Sequence, residues 1–420
     1  MNLSSRSSWR FAAAFSAAAL LNADCSIAGN ASEGNGSARP AAGSPPAADE
    51  TAPQPPPLSE EARQIADELQ RTLPAGSEAR AMFDDIVSGS RLSPTDGWFA
   101  LATAQKRFDW EKVRSLFDSN DDGAIDRKEI AGVSDADFPR LDRNGDGQIT
   151  ESDLDLAAPA QDRDAAYALY RGSDADSDGR ITAREFAALF ETLDRDGAGF
   201  VTIDDLRSHF ARTESSTRRR GGGPSREVLL RGLIRQEIGS LQAGPALGES
   251  VPDFTLKTQD GTKSVTLSQQ IGEKPVVLVF GNFTCGPFRS QSGNVEKLFR
   301  RYGDRATFLM IYVREAHPTD GWHMPGKSGS DLDIAQPRSY EERVAVAQTC
   351  QGRLNLGMPF LVDEIDDRVG ATYSGMPSRL YLIDQAGTVA YKSGRGPHGF
   401  KPSELEQSLL LLLASETPGR

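Results

Sequence analysis

At 420 residues the chain is too long for one ordinary core and long enough for two or three domains joined by linkers. A net charge of -13 argues against nucleic acid or an anionic membrane surface as partner, because both attract basic patches. Three cysteines are too few for a disulfide-built scaffold, so the fold has to rest on packed cores.

In chain order, Met1 to Ala28 reads as an export signal: Arg6 and Arg10 precede a short apolar run, and Ser26-Ile27-Ala28 offers small residues for cleavage. The expected location is therefore periplasmic or extracellular. Cys25 keeps a lipid-anchored form open as the alternative to soluble export, with Asp24 standing where a small residue is wanted. No other apolar run reaches membrane-spanning length, Leu409 to Leu413 included, so no transmembrane helix is expected.

Residues 29–58 are rich in Ala, Pro, Gly and Ser and read as a disordered linker. A helical lead-in follows over 59–112, with apolar positions such as Ile65, Leu69, Phe83 and Ile86, broken at Pro74 and Pro94. Residues 113–213 carry a fourfold acidic repeat. A second linker with a helix spans 214–243 and contains the run Arg218-Arg219-Arg220-Gly221-Gly222-Gly223-Pro224. From 244 to 420, apolar strands near 276–280, 306–313, 359–362, 379–383 and 388–392 alternate with helices, which predicts an α/β domain with a mixed sheet. Because Gly-, Pro- and charge-rich linkers rarely carry a shared core, that domain is expected to fold alone.

The acidic repeat has chemistry written into its spacing. Oxygen ligands at loop positions 1, 3, 5, 7, 9 and 12, with glycine at 6, wrap a hard cation in an EF-hand. The first loop supplies Asp118, Asn120, Asp122, Ala124 through its carbonyl, Asp126 and Glu129. The second supplies Asp142, Asn144, Asp146, Gln148, Thr150 and Asp153, the last shorter than the usual Glu. The third supplies Asp174, Asp176, Asp178, Arg180, Thr182 and Glu185. The fourth keeps Asp194, Asp196 and Asp205 but has Ala198 at position 5, so it is expected to bind weakly or to stay empty. Seventeen Asp and Glu residues lie in these four loops, which gives the net charge a local cause. Position 8 is Ile125, Ile149, Ile181 or Val201, residues that suit the short strand joining two loops, so first is expected to pair with second and third with fourth. Three calcium sites are expected, with a degenerate fourth.

In the α/β domain, the apolar strand runs straight into Gly281-Asn282-Phe283-Thr284-Cys285-Gly286-Pro287-Phe288-Arg289. A cysteine on the turn between a strand and a helix N-terminus feels the positive end of the helix dipole, so a thiol pKa below about 8.5 is expected, with Arg289 adding to the effect. No Cys-x-x-Cys is present, which argues against a thioredoxin-style dithiol. The opening from Gly248 through Phe280 is similar to peroxiredoxins and related thioredoxin-fold domains.

The segment Ile311-Tyr312-Val313-Arg314-Glu315-Ala316-His317-Pro318-Thr319-Asp320-Gly321-Trp322 resembles the iodothyronine deiodinases. So do Arg338 to Arg343, Arg379-Leu380-Tyr381 and Gly394-Arg395-Gly396-Pro397. That resemblance covers about 245 to 415. It implies that Cys285 stands at the place of the family's selenocysteine, that His317 matches an active-site histidine, and that Met376-Pro377 is cis beside the reactive residue. Thr284, Arg289, Trp322 and Pro377 are the residues expected to line the site. The sequence departs from the family in having sulfur for selenium, Phe283 and Met358 for cysteines, and Pro337 for a second histidine.

These readings combine into a multidomain chain, an α-helical EF-hand module plus an α/β thioredoxin-like domain. The expected activity is thiol oxidoreduction with Cys285 as nucleophile and His317 as acid/base partner. The expected partners are calcium and an unidentified thiol reductant or small-molecule substrate. Two alternatives stand beside it: a calcium-binding interaction protein with a relic redox domain, and a one-cysteine thiol peroxidase. Cys350 is expected to be a free or buried thiol rather than the resolver of an oxidised Cys285.

Overall fold

The computed structural model describes residues 56–89, 103–156, 169–170, 172–202, 204–206, 209, 224–322, 332–396 and 398–416. The proposed signal, Cys25, most of the first linker, Pro94 and the basic run at 218–220 lie outside them. Among the described residues, no helix is long and apolar enough to cross a membrane.

Helices α1 (Glu60–Thr72) and α2 (Glu78–Ser88) start where serine side chains can satisfy orphan amides: Ser59 accepts from Ala62 N and Ser77 from Arg80 N. Strand β1 (Gln105–Lys106) leads into α3 (Trp110–Phe117), which ends at the first acidic loop. Strands β2 (Ile125–Asp126) and β3 (Gln148–Ile149) join the first two loops, with Ile125 opposite Ile149. Helix α4 (Ala183–Leu193) connects the third loop to the fourth. Between those two loops no strand pairing forms among the described residues, although Ile181 and Val201 are both described. Only half of the apolar residues at helical spacing on α4 are inside: Leu189 and Leu193 are buried, while Phe186 is 59% and Phe190 39% exposed.

Helix α5 (Arg226–Ile234) precedes the α/β domain. Its strands are β4 (Thr255–Thr258), β5 (Ser264–Thr266), β6 (Val276–Gly281), β7 (Thr307–Tyr312), β8 (Phe360–Val362), β9 (Arg379–Ile383) and β10 (Val389–Lys392). Its longer helices are α6 (Gly286–Tyr302), α7 (Tyr340–Leu354) and α8 (Pro402–Ser415). The strands form one sheet in the order β1-β10-β9-β6-β7-β8-β4-β5. Strands β6, β7 and β8 run parallel, as helical crossovers require, and the remaining neighbours are antiparallel. Every residue of β6 and β9 is buried, which accounts for the unbroken apolar run of β6 and for Leu380–Ile383 in β9. This is a thioredoxin-like mixed sheet, and it places the C-terminal end of β6 next to the start of α6.

Packing crosses the boundaries expected at 112, 213 and 244. Strand β1, inside the lead-in, pairs with β10 at the sheet edge, Gln105 opposite Lys392. Phe108, Val113, Phe117 and Ile149 belong to the same continuous core as the sheet. A second core forms where α1 and α2 pack on α5, joining Leu69, Met82 and Phe83 to Leu229, Leu230 and Leu233. The α5 segment is therefore not linker in character. Polar contacts cross as well: Arg305 pairs with Asp137 at 2.8 Å, and Gln407 Nε2 donates to Asp153 O at 2.8 Å. From α2, Glu78 reaches two buried guanidiniums, Arg379 at 2.7 Å and Arg395 at 3.2 Å. Linker composition predicted separable halves, but local composition does not report the long-range apolar and charged contacts that join them.

Candidate functional site

Cys285 is the N-cap of α6, delivered there by the buried β6 strand and the turn at 282–284. Asn282 holds that turn together. Its Oδ1 accepts from Cys285 N at 2.9 Å and Ala316 N at 3.1 Å, and its Nδ2 donates to Pro377 O at 3.0 Å. One side chain thus ties the thiol turn, the loop after β7 and the Met376-Pro377 loop, whose peptide bond is cis. Beside Cys285 Sγ lies the hydroxyl of Ser378, at 3.9 Å.

Thr284 and Glu315 form the next ring of contacts. Glu315 is fully buried, and its Oε2 accepts from Thr284 N at 2.9 Å and Thr284 Oγ1 at 2.7 Å, while Oε1 accepts from the Tyr312 hydroxyl. Thr284 Oγ1 in turn accepts from His317 N at 3.0 Å, which brings His317 into the same network through its backbone. The His317 ring meets Trp322 edge-on at 4.8 Å, and Nδ1 lies 3.2 Å from Trp322 O. A carbonyl oxygen only accepts, so this contact places a proton on Nδ1 and the basic lone pair of a neutral ring on Nε2. Trp322 also packs against the α1–α2–α5 core.

The electrostatics of Cys285 differ from the expectation. Burial pushes the thiol pKa up, and this outweighs the Phe288 N–H, the Ser378 hydroxyl and the Arg289 charge, all of which favour thiolate. The side chain is 1% exposed, so desolvation acts on the whole thiol. Arg289 is itself buried, its Nη1 donating to Phe283 O at 2.6 Å, and burial lowers its pKa. Burial likewise raises Glu315, against three hydrogen-bond donors. Cys350 sits buried on α7 as a free thiol, its pKa also raised by burial.

Asn282, Tyr312, Glu315 and Ser378 were not among the expected site residues. A polar Asn at the end of a wholly apolar strand was the available signal, as was an acidic residue two positions before His317.

The calcium loops close around their own carboxylates. In the first, Glu129 at position 12 accepts from Ser119 N at 2.9 Å and Asp126 N at 2.9 Å, while Asp118 accepts from Gly123 N at 3.1 Å. In the second, Asp153 makes the equivalent bonds to Arg143 N and Thr150 N, each at 2.9 Å, so the shorter side chain still bridges both ends of its loop. Asn144 and Asp146 lie on the same loop, joined through Asn144 Nδ2 at 2.8 Å. In the third, Glu185 bridges Ala175 N at 3.0 Å and Thr182 N at 2.9 Å. There the carboxylate oxygens of Asp174, Asp176 and Glu185 lie within 4.8 Å of one another, and Asp178 Oδ1 is buried without a hydrogen-bond partner. Burial and mutual repulsion raise Asp174 and Asp178, so this donor set fits a hard divalent cation. In the fourth, Asp205 accepts from Thr202 N at 2.9 Å and Thr202 Oγ1 at 2.6 Å, and Ala198 adds no side-chain oxygen.

Comparison with known proteins agrees with both halves. Residues 229–411 match the iodothyronine deiodinase family model, and residues 136–155 and 174–190 match the EF hand. Thyroxine 5-deiodinase of Homo sapiens is 36% identical over 165 residues, 39% of this chain and 51% of that protein. Type II iodothyronine deiodinase of Bos taurus is 31% identical over 174 residues, 41% of this chain and 63% of that protein. The chain thus spans about half to three-fifths of the length of these curated relatives. Among solved structures, a putative thiol:disulfide interchange protein DsbE from Chlorobium tepidum is 22% identical with a TM-score of 0.29, covering 40% of this chain and 99% of that one. By these matches residues 229–411 are similar to the iodothyronine deiodinases, and residues 136–155 and 174–190 to EF hands.

Proposed function

We propose that this chain, an EF-hand module packed on a deiodinase-family domain, is an exported calcium-binding protein that carries out thiol-dependent redox chemistry at Cys285. The observation that carries the reading is the placement of Cys285 at the N-cap of α6, within a network of Asn282, Thr284 and Glu315 that reaches His317.

In this reading the thiolate of Cys285 attacks an electrophilic atom of the substrate. For a disulfide R–S–S–R′ this forms Cys285–S–S–R and expels R′–S⁻, which takes a proton. An external thiol R″–SH then attacks the Cys285 sulfur of the mixed disulfide, expelling R–S⁻, which takes a proton, and leaving Cys285–S–S–R″; a second equivalent attacks the R″ sulfur, forming R″–S–S–R″ and returning the Cys285 thiol. Ser378 and the α6 N-terminus stabilise the thiolate, and His317 handles the proton through Nε2. An iodinated aromatic belongs in the substrate panel, because the relatives named above are deiodinases. Calcium fills the loops beginning at Asp118, Asp142 and Asp174, and the loop beginning at Asp194 binds weakly. The export proposal rests on Met1 to Ala28.

The burial of Cys285 favours a second reading, a calcium-binding interaction protein whose redox domain no longer turns over. The test is thiol-dependent reduction of peroxide, a disulfide and an iodinated aromatic by the full chain and by Cys285→Ser. Activity lost with the sulfur supports the oxidoreductase; inactivity of the wild-type chain toward all three supports the second reading.

A further inference from the structure

Glycine holds position 6 of all four loops with φ between 82° and 90°, at Gly123, Gly147, Gly179 and Gly199. Three of these face open space. The fourth does not: a Cβ on Gly179 would overlap the Arg289 carbonyl oxygen and the Ser292 hydroxyl of α6. From the other side, a Cβ on Gly293 would stand 2.7 Å from Gly179 O. Ser292 Oγ, which donates to Arg289 O at 2.8 Å within α6, also lies 3.2 Å from Asp178 O, and Arg180 Nη2 donates to Leu354 O and Asn355 O, each at 2.9 Å, at the C-terminal end of α7. The third loop is therefore seated backbone to backbone on the helix that Cys285 caps. Two small residues, Gly179 and Gly293, permit that approach.

The seated loop is also the one whose Asp174, Asp176 and Glu185 oxygens gather within 4.8 Å and whose Asp178 Oδ1 has no partner. One loop conformation serves both tasks. We propose that the third loop is a calcium-dependent clamp on α6, in which cation binding and docking on Arg289–Gly293 strengthen each other. The entropy of ordering the loop is lost once, by whichever event comes first, so the second event is easier. Linkage makes the effect reciprocal: calcium steadies the first turns of α6, and an intact α6 surface raises calcium affinity at this loop. Arg289 N bonds Cys285 O at 3.0 Å, so the clamp acts one helical turn from the thiol. The clamp rests on the proposed calcium site in this loop.

The test uses the full chain with calcium as the titrant. Gly293→Ala suits it, because alanine is the better helix former and the change crowds only the docked loop. Calorimetry should show one site weakened by about fivefold or more, the lower range of ordinary coupling. Arg180→Ala, which removes the bonds to α7 and changes no residue of α6, should weaken the same site. Hydrogen exchange at residues 289–297 should slow with calcium in the wild-type chain, and should respond less in Gly293→Ala and not at all in Glu185→Gln. Unchanged affinity in Gly293→Ala, with calcium-dependent protection of α6 intact, overturns the clamp while leaving the calcium site standing. A wild-type titration that Glu185→Gln does not alter overturns the calcium site itself.

Discussion

At Cys285 two effects of position oppose each other. The N-cap of a helix and a neighbouring arginine favour thiolate, and complete burial favours the thiol. Burial prevails, and the pKa rises above its ordinary value. Alkylation by iodoacetamide should therefore be slow at pH 7 to 8 and climb only above about pH 8.5. A rate already at its plateau by pH 7 would contradict this balance. The turn itself depends on Asn282, whose amide makes three buried bonds to three chain segments. Asn282→Ala leaves those partners unsatisfied and should cost about 1 to 3 kcal/mol in chemical denaturation. The catalytic candidates at 285 and 317 were legible from sequence because strand, turn and motif are local patterns. Glu315 and Ser378 were hidden, since their roles depend on which loops meet in space.

Among the elements, α2 carries the least expected contribution. Glu78 is an ordinary first-turn glutamate by sequence, yet it is the counter-ion of Arg379 and Arg395, neither of which is exposed. Burial alone would raise its pKa, but Arg379 and Arg395 outweigh burial and lower it below 4.5. A carboxylate with a depressed folded pKa stabilises fully above its unfolded value and loses that contribution as pH falls through the folded one. Unfolding studied from pH 6 to 3 should accordingly show a loss of stability below about pH 4.5 that Glu78→Gln lacks. Glu78→Ala at neutral pH should cost about 3 to 5 kcal/mol, as expected for a buried pair deprived of one partner; a loss under 1 kcal/mol would mean that water or another anion replaces it. Close by, burial and the Arg379 charge push Lys392 down to about 7. Because the unfolded lysine keeps its proton to about pH 10.4, this group makes folding more favourable as pH rises from 7 toward that value.

Across the whole molecule, the first two calcium loops and the sheet share one core, with β1 inserted at the sheet edge from a segment that reads as helical. Calcium spacing, the apolar β6 and β9 and the alternation of strands with helices were all legible, since each is a periodic or short-range signal. The shared core was not, because a two-residue strand and a lone glutamate have no pattern of their own. A fragment of residues 244–420 should therefore be less stable than the full chain, having lost α1, α2, β1 and α5 along with Glu78, and thermal unfolding of the two would measure the difference. The claim that Cys285 is the working nucleophile faces its most direct test in a turnover assay. Full chain with calcium, a disulfide substrate and excess dithiothreitol should consume substrate faster than the uncatalysed background, and Cys285→Ser should fall to that background. Equal rates for the two proteins would contradict the account.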